Sequence, residues 1–107
     1  MMVIPAIDLR GRRCVRLKQG ELTRETVYSD NPAAMARKWA SLGAQRLHVV
    51  DLDGAVQGRP VNRDVVFLIV EAASIPVQVG GGIRSMKTVE SYLEGGVDQV
   101  ILGTSAI

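Results

Sequence analysis

Four places in the sequence carry groups able to do chemistry, and each follows a short apolar run. Asp8 follows Val3-Ile4-Pro5-Ala6-Ile7, and Asp51 follows Leu47-His48-Val49-Val50. Gly80-Gly81-Gly82 follows Pro76-Val77-Gln78-Val79, and Gly103-Thr104-Ser105 follows Gln99-Val100-Ile101-Leu102. Asp8, between apolar Ile7 and Leu9, suits a general base, because partial burial raises a carboxyl toward neutrality. A loop brace is the plainer role for the same residue. Asp51 and Asp53 could orient a substrate hydroxyl or bind a metal, although two carboxylates alone make a poor metal site. Glycines let backbone N–H groups approach a ligand closely, and a helix N-terminus adds donors and partial positive charge. Gly81 and Gly82 with Arg84, and Gly103 with the hydroxyl of Thr104, therefore suit a phosphate. A tight strand-to-helix turn would use the same glycines, and neither segment has the spacing of a dinucleotide fingerprint or a P-loop. His48 either points at the ligand or is a hydrogen-bonded core histidine. Arg10, Arg12, Arg13, Arg16 and Lys18 fall within one short stretch, as a solvated loop or a local trap for a small anion.

Such groups need a scaffold that brings them to one end, and the periodicity supplies it. Val3–Ile7 reads as a buried strand ending at Asp8. A long polar stretch with turns at Gly11 and Gly20 follows, and 14–17 and 26–28 form a small excursion of β structure. Asn31 caps a helix with Pro32 at its first position and Gly43 as its stop; Met35, Trp39 and Leu42 recur at helical spacing, with Trp39 in the core. Leu47–Val50 is the second strand. Asn62 caps the next helix, where Val65, Leu68, Ile69, Ala72 and Ala73 form a stripe. Val66, Phe67 and Val70 leave its other side apolar, so it needs a neighbour on more than one side. Pro76–Val79 is the third strand, Ser85 caps a third helix with Val89, Tyr92 and Leu93 inward, and Gln99–Leu102 is the fourth strand. Strictly alternating strands and helices give a parallel sheet with right-handed crossovers, whose carboxyl ends are the ligand face.

Bulk properties agree with one small globular domain over residues 1–107. No apolar run is long enough to span a membrane, no leader peptide is visible, and the single Cys14 cannot form an internal disulfide. A cytoplasmic protein without cofactor or metal is expected. A net charge of +2 gives no reason to expect nucleic acid.

The motifs in combination resemble the phosphoribosylformimino-5-aminoimidazole carboxamide ribotide isomerase family of histidine biosynthesis. The resemblance is carried by Ile4-Pro5-Ala6-Ile7-Asp8-Leu9, Gly11, Val15-Arg16-Leu17-Lys18-Gln19-Gly20, Leu47 to Ala55, Gly58-Arg59-Pro60-Val61-Asn62, Val77 to Arg84 and Val100 to Thr104, in order along the whole chain. It implies a (β/α)8 TIM barrel, of which this chain covers strands one to four and helices one to three, a half-barrel. It also implies an Amadori rearrangement, in which an aminoaldose with a phosphate at each end becomes an aminoketose. Asp8 would remove the C2 proton, Arg16 and Arg84 would contact substrate, and Gly81, Gly82, Gly103 and Thr104 would hold one terminal phosphate. Gly20, His48 and Asp51 complete the candidate substrate-binding set.

One feature departs from the family pattern. A full barrel needs roughly 250 residues, and the family's second aspartate, its general acid at strand five, is not among these residues. The expectation is a half-barrel with unpaired edges on strands one and four, which self-associates or meets a complementary C-terminal half. Two other readings stay open: the sister cyclase of imidazole glycerol phosphate synthesis, against which Ala6-Ile7-Asp8 and Arg16 argue, and a non-catalytic phosphate-binding module.

Overall fold

The computed structural model describes residues 2–18 and 21–102. Its elements are β1 (Ala6–Arg10), β2 (Arg13–Lys18), β3 (Glu21–Ser29), α1 (Pro32–Ser41), β4 (Leu47–Asp51), α2 (Leu52–Gln57), α3 (Arg63–Ala73), β5 (Val77–Gly80), α4 (Met86–Glu94) and β6 (Gln99–Ile101). One sheet runs in the order β3-β2-β1-β4-β5-β6. The pairs β1–β4, β4–β5 and β5–β6 are parallel, as alternating strands and helices require. The hairpin β2–β3 extends the sheet antiparallel to β1. This is an α/β architecture with the four anticipated parallel strands in sequence order.

Alternation along the strands separates two faces. Ile7, Leu9, Leu47, Val49, Val77 and Val79 are buried and form one core with Val65, Val66 and Ile69 of α3 and Tyr92 of α4. Residues between them face the other way, and the register lines them up in rungs across the sheet. Ala6, His48, Gln78 and Gln99 form one rung; Asp8, Val50, Gly80 and Ile101 form the next.

Several local expectations shift. The first strand is Ala6–Arg10 rather than Val3–Ile7, so Asp8 lies within it, because the polypeptide turns back at Gly11-Arg12 and β2 pairs with Asp8–Arg10. That hairpin also covers the edge of β1, which had been expected to stay open; among the described residues the sheet's outer strands are β3 and β6. The stretch after Asp51 folds as the short helix α2, ended by Gly58 in the left-handed conformation. Asn31 and Ser85 cap α1 and α4 by accepting from the amides of Ala34 and Thr88. Asn62 stands at the N-cap of α3 but makes no side-chain cap bond. The all-round apolar α3 does gain cover from two sides: α1 packs on it, and Phe67 meets Tyr92 of α4 edge-on, with ring centroids 5.9 Å apart. Leu42, Leu68 and Leu93 are nevertheless exposed, the first lying just past the end of α1.

Candidate active site

Asp8 sits near the carboxyl end of β1, and its rung neighbours leave room above it. Val50 is short and Gly80 has no side chain, so the sheet surface beside the carboxylate is shallow. On the other side of Asp8, toward β2, β3 and α1, a cavity of about 200 Å³ is lined by Ala6, Asp8, Val15, Arg16, Tyr28, Met35 and Trp39. Burial pushes the Asp8 carboxyl above its ordinary range, and the nearby His48 partly offsets this. Arg16 lies in the same cavity with its guanidinium 5.9 Å from the centre of the Tyr28 ring. The cavity therefore holds a half-buried carboxylate of raised pKa, able to accept a proton, beside an exposed arginine.

Tyr28, Met35 and Trp39 were not anticipated here. Trp39 borders the cavity instead of lying wholly in the core, and its Nε1 is buried without a hydrogen-bond partner among the described residues. Its helical spacing signalled burial, and nothing in that spacing distinguishes a core position from a cavity wall. Burial and the neighbouring Cys14 and Asp8 raise Tyr28 to about 12, so its hydroxyl keeps its proton at neutral pH.

Asp51 goes elsewhere than a substrate hydroxyl. Its carboxylate is 0% exposed. Oδ1 accepts from the Gly54 amide and Asn62 Nδ2, and Oδ2 from the Val61 and Asn62 amides, each at 2.8 Å. Two carboxylate oxygens offer about four acceptor positions, and the chain itself fills them. Asn62 Nδ2 also donates to Asp53 (2.9 Å), while Asn62 Oδ1 accepts from the Arg12 backbone N–H (3.1 Å). Asp53 in turn accepts from the Gly11 amide at 2.8 Å. Asp51, Asp53 and Asn62 thus form a clamp that holds the β1–β2 turn, where Gly11 and Arg12 have φ of 58° and 67°. An Arg12–Asp64 ion pair reinforces it.

The glycine turn after β5 packs directly on this clamp. A Cβ at Gly81 would lie 2.3 Å from the Asp51 carbonyl oxygen, and one at Gly82 would lie 2.6 Å from the carbonyl oxygens of Gly54 and Arg59. Both also have positive φ, 103° and 75°. Backbone packing therefore requires these glycines whether or not an anion binds. Arg84 is exposed, with its guanidinium lying beside Gly58 at the end of α2. His48 faces the rung next to Asp8 and hydrogen-bonds Gln78. Gly20, Gly103 and Thr104 lie outside the described residues. No group of three or more metal-ligating side chains occurs among the described residues. No helix there is long and apolar enough to cross a membrane.

Comparison with known proteins places this arrangement. The family model described as "Histidine biosynthesis protein" matches residues 2–107. The chain is 63% identical over 107 residues to a protein of Desulforudis audaxviator and 59% identical over 106 residues to one of Syntrophotalea carbinolica. It is 64% identical over 107 residues to one of Pelotomaculum thermopropionicum. Each is named 1-(5-phosphoribosyl)-5-((5-phosphoribosylamino)methylideneamino) imidazole-4-carboxamide isomerase. These matches take in 100%, 99% and 100% of this chain but 41%, 44% and 41% of the relatives, so the chain spans about two fifths of their length. Its parallel strands β1, β4, β5 and β6 are accordingly a half-barrel of a (β/α)8 fold. From its motifs, its topology and a family match across nearly its whole length, the chain belongs to the histidine biosynthesis protein family.

Proposed function

We propose that this half-barrel carries the proton-abstracting side of an aldose–ketose isomerase site, acting in an Amadori rearrangement of the bisphosphorylated aminoimidazole carboxamide ribotide of histidine biosynthesis. The observation that carries this reading is Asp8: a half-buried carboxylate of raised basicity, in a cavity it shares with Arg16. The names of the relatives supply the substrate class. In the rearrangement a proton enters at the ribose ring oxygen, the ring opens to an iminium, and a base removes the C2 proton to give the enolamine that becomes the ketose. Asp8 is the base. Arg16 attracts the anionic substrate, and Arg84, Gly81, Gly82, Gly103 and Thr104 bind one terminal phosphate. His48 contacts a substrate oxygen, while Asp51 contributes by bracing the loops.

One carboxylate is poorly placed to serve both proton transfers, so the acid comes from outside these residues. The rungs facing away from the core and the edge of β6, with Ile101 and Leu102 exposed, suit a second half-barrel. It is either the remainder of a longer chain or another copy. A cytoplasmic location fits such a biosynthetic role.

Asp8→Asn in a full-length protein tests the assignment. It should lower kcat by about 10²–10⁴ with little change in substrate affinity, since that is the usual worth of a general base. A variant that keeps more than about a tenth of the native rate removes Asp8 from that role.

A further inference from the structure

Gln78 touches the only histidine of the chain. Register pairs the two residues across β4 and β5, and alternation turns both away from the core. Nε2 of Gln78 lies 2.9 Å from Nδ1 of His48. An amide nitrogen donates and does not accept. With the amide placed this way round, Nδ1 of a neutral ring accepts, which leaves the ring proton to Nε2. That second nitrogen is the one His48 has left to offer, on the face of the sheet that carries Asp8 one rung further along the neighbouring strand. His48 lies close enough to draw the Asp8 carboxyl downward.

Chemistry gives this orientation a purpose. A deprotonated Asp8 only accepts hydrogen bonds, and the oxygens of a phosphorylated sugar are rich in lone pairs. A histidine that offered a second lone pair would repel both, whereas one that offers N–H complements them. We propose that Gln78 is a positioning residue: it fixes His48 in the tautomer that presents Nε2–H as a donor to a substrate oxygen held beside Asp8. This rests on the isomerase reading for the identity of the substrate, but the tautomer stands independently of it.

Nitrogen-15 NMR of histidine-labelled full-length protein reads the tautomer directly, with the His48 signals assigned by their loss in His48→Gln. The native ring should show a protonated Nε2 and an unprotonated Nδ1. Gln78→Glu offers only acceptors and should move the proton to Nδ1; Gln78→Met offers no partner and should give a mixture. Both variants should lose about tenfold in kcat/KM, the worth of one hydrogen bond, with melting temperatures near the native value. Gln78→Met alone decides the matter if Gln78→Glu does not fold. A native Nδ1–H tautomer, or a Gln78→Met ring as uniform as the native one, overturns the proposal. So does an unchanged kcat/KM in a variant whose tautomer has moved. Native protein without isomerase turnover would instead refute the functional reading, leaving the tautomer measurement intact.

Discussion

Replacing Asp51 by asparagine separates a brace from a ligand group. The side chain keeps its shape, but one oxygen becomes NH2. Either way round, that NH2 faces two N–H donors: the Gly54 amide and Asn62 Nδ2, or the amides of Val61 and Asn62. Two donors lose their acceptor at a residue that is 0% exposed, the Val61 amide alone lying in a part-buried position. A buried donor left unpaired costs about 1–3 kcal/mol, so the variant should be destabilised by about 2–6 kcal/mol. That is a large part of the roughly 5–15 kcal/mol that holds a small domain together. Denaturant titration of native and variant protein gives the difference: the midpoint should fall while the slope m stays constant. Asp51→Ala should be at least as damaging, because it orphans all four donors. A loss below about 1 kcal/mol, accompanied by weak substrate binding, would refute the brace and restore Asp51 as a ligand group.

Three further outcomes follow from the same geometry. Gly82→Ala should lose about 2–5 kcal/mol, combining the left-handed backbone with overpacking against two carbonyl oxygens, while Gly43→Ala, whose φ is also positive but whose Cβ would meet nothing within 4 Å, should lose only about 1–2 kcal/mol; equal losses in thermal melts would count against the packing argument. Burial raises Asp8 above its ordinary 3.8, so the folded state binds its proton more tightly than the unfolded chain does. Asp8→Asn should then be more stable than the native protein near neutral pH and lose that advantage as the pH falls through the raised value toward the ordinary 3.8; an advantage independent of pH would contradict this. Finally, the chain as given should associate through β6, and Ile101→Lys should shift it toward monomer in analytical ultracentrifugation; a compact native monomer at every concentration would refute the edge argument.

Much of this was legible in the sequence because it depends on local pattern. Apolar runs located β4, β5 and β6 to within a residue but only the first part of β1, and Asn31 and Ser85 announced their helices by cap chemistry. Asp8 could be picked out because its flanking residues already implied partial burial. The rest depends on contacts between residues far apart. Helix α2 was obscured by Gly54, a poor helix former, in a segment only one and a half turns long. Asn62 has the composition of a cap, but its side chain is drawn away by Asp51 and Asp53, which spacing along the chain does not reveal. Asp51 looked like Asp8 in its local context, each following an apolar strand; only the folded loops distinguish a carboxylate that meets solvent from one enclosed by four donors.

The clamp on the β1–β2 turn also bears on the order in which the protein acquires its shape. The turn is held by Asp53, Asn62 and Asp64, contacts that span 42, 50 and 52 residues of sequence. Its positive φ at Arg12 is unfavourable for a residue with a side chain, and the adjoining β1–β2 pairing of Arg10 with Arg13 is its local support. The turn therefore gains its long-range braces only once the start of α3 is in place. Contacts of such separation are slow to form. The strand that carries the proposed base would thus be fully braced late, and a substitution at Asn62 would prolong the interval in which its turn is held by local pairing alone.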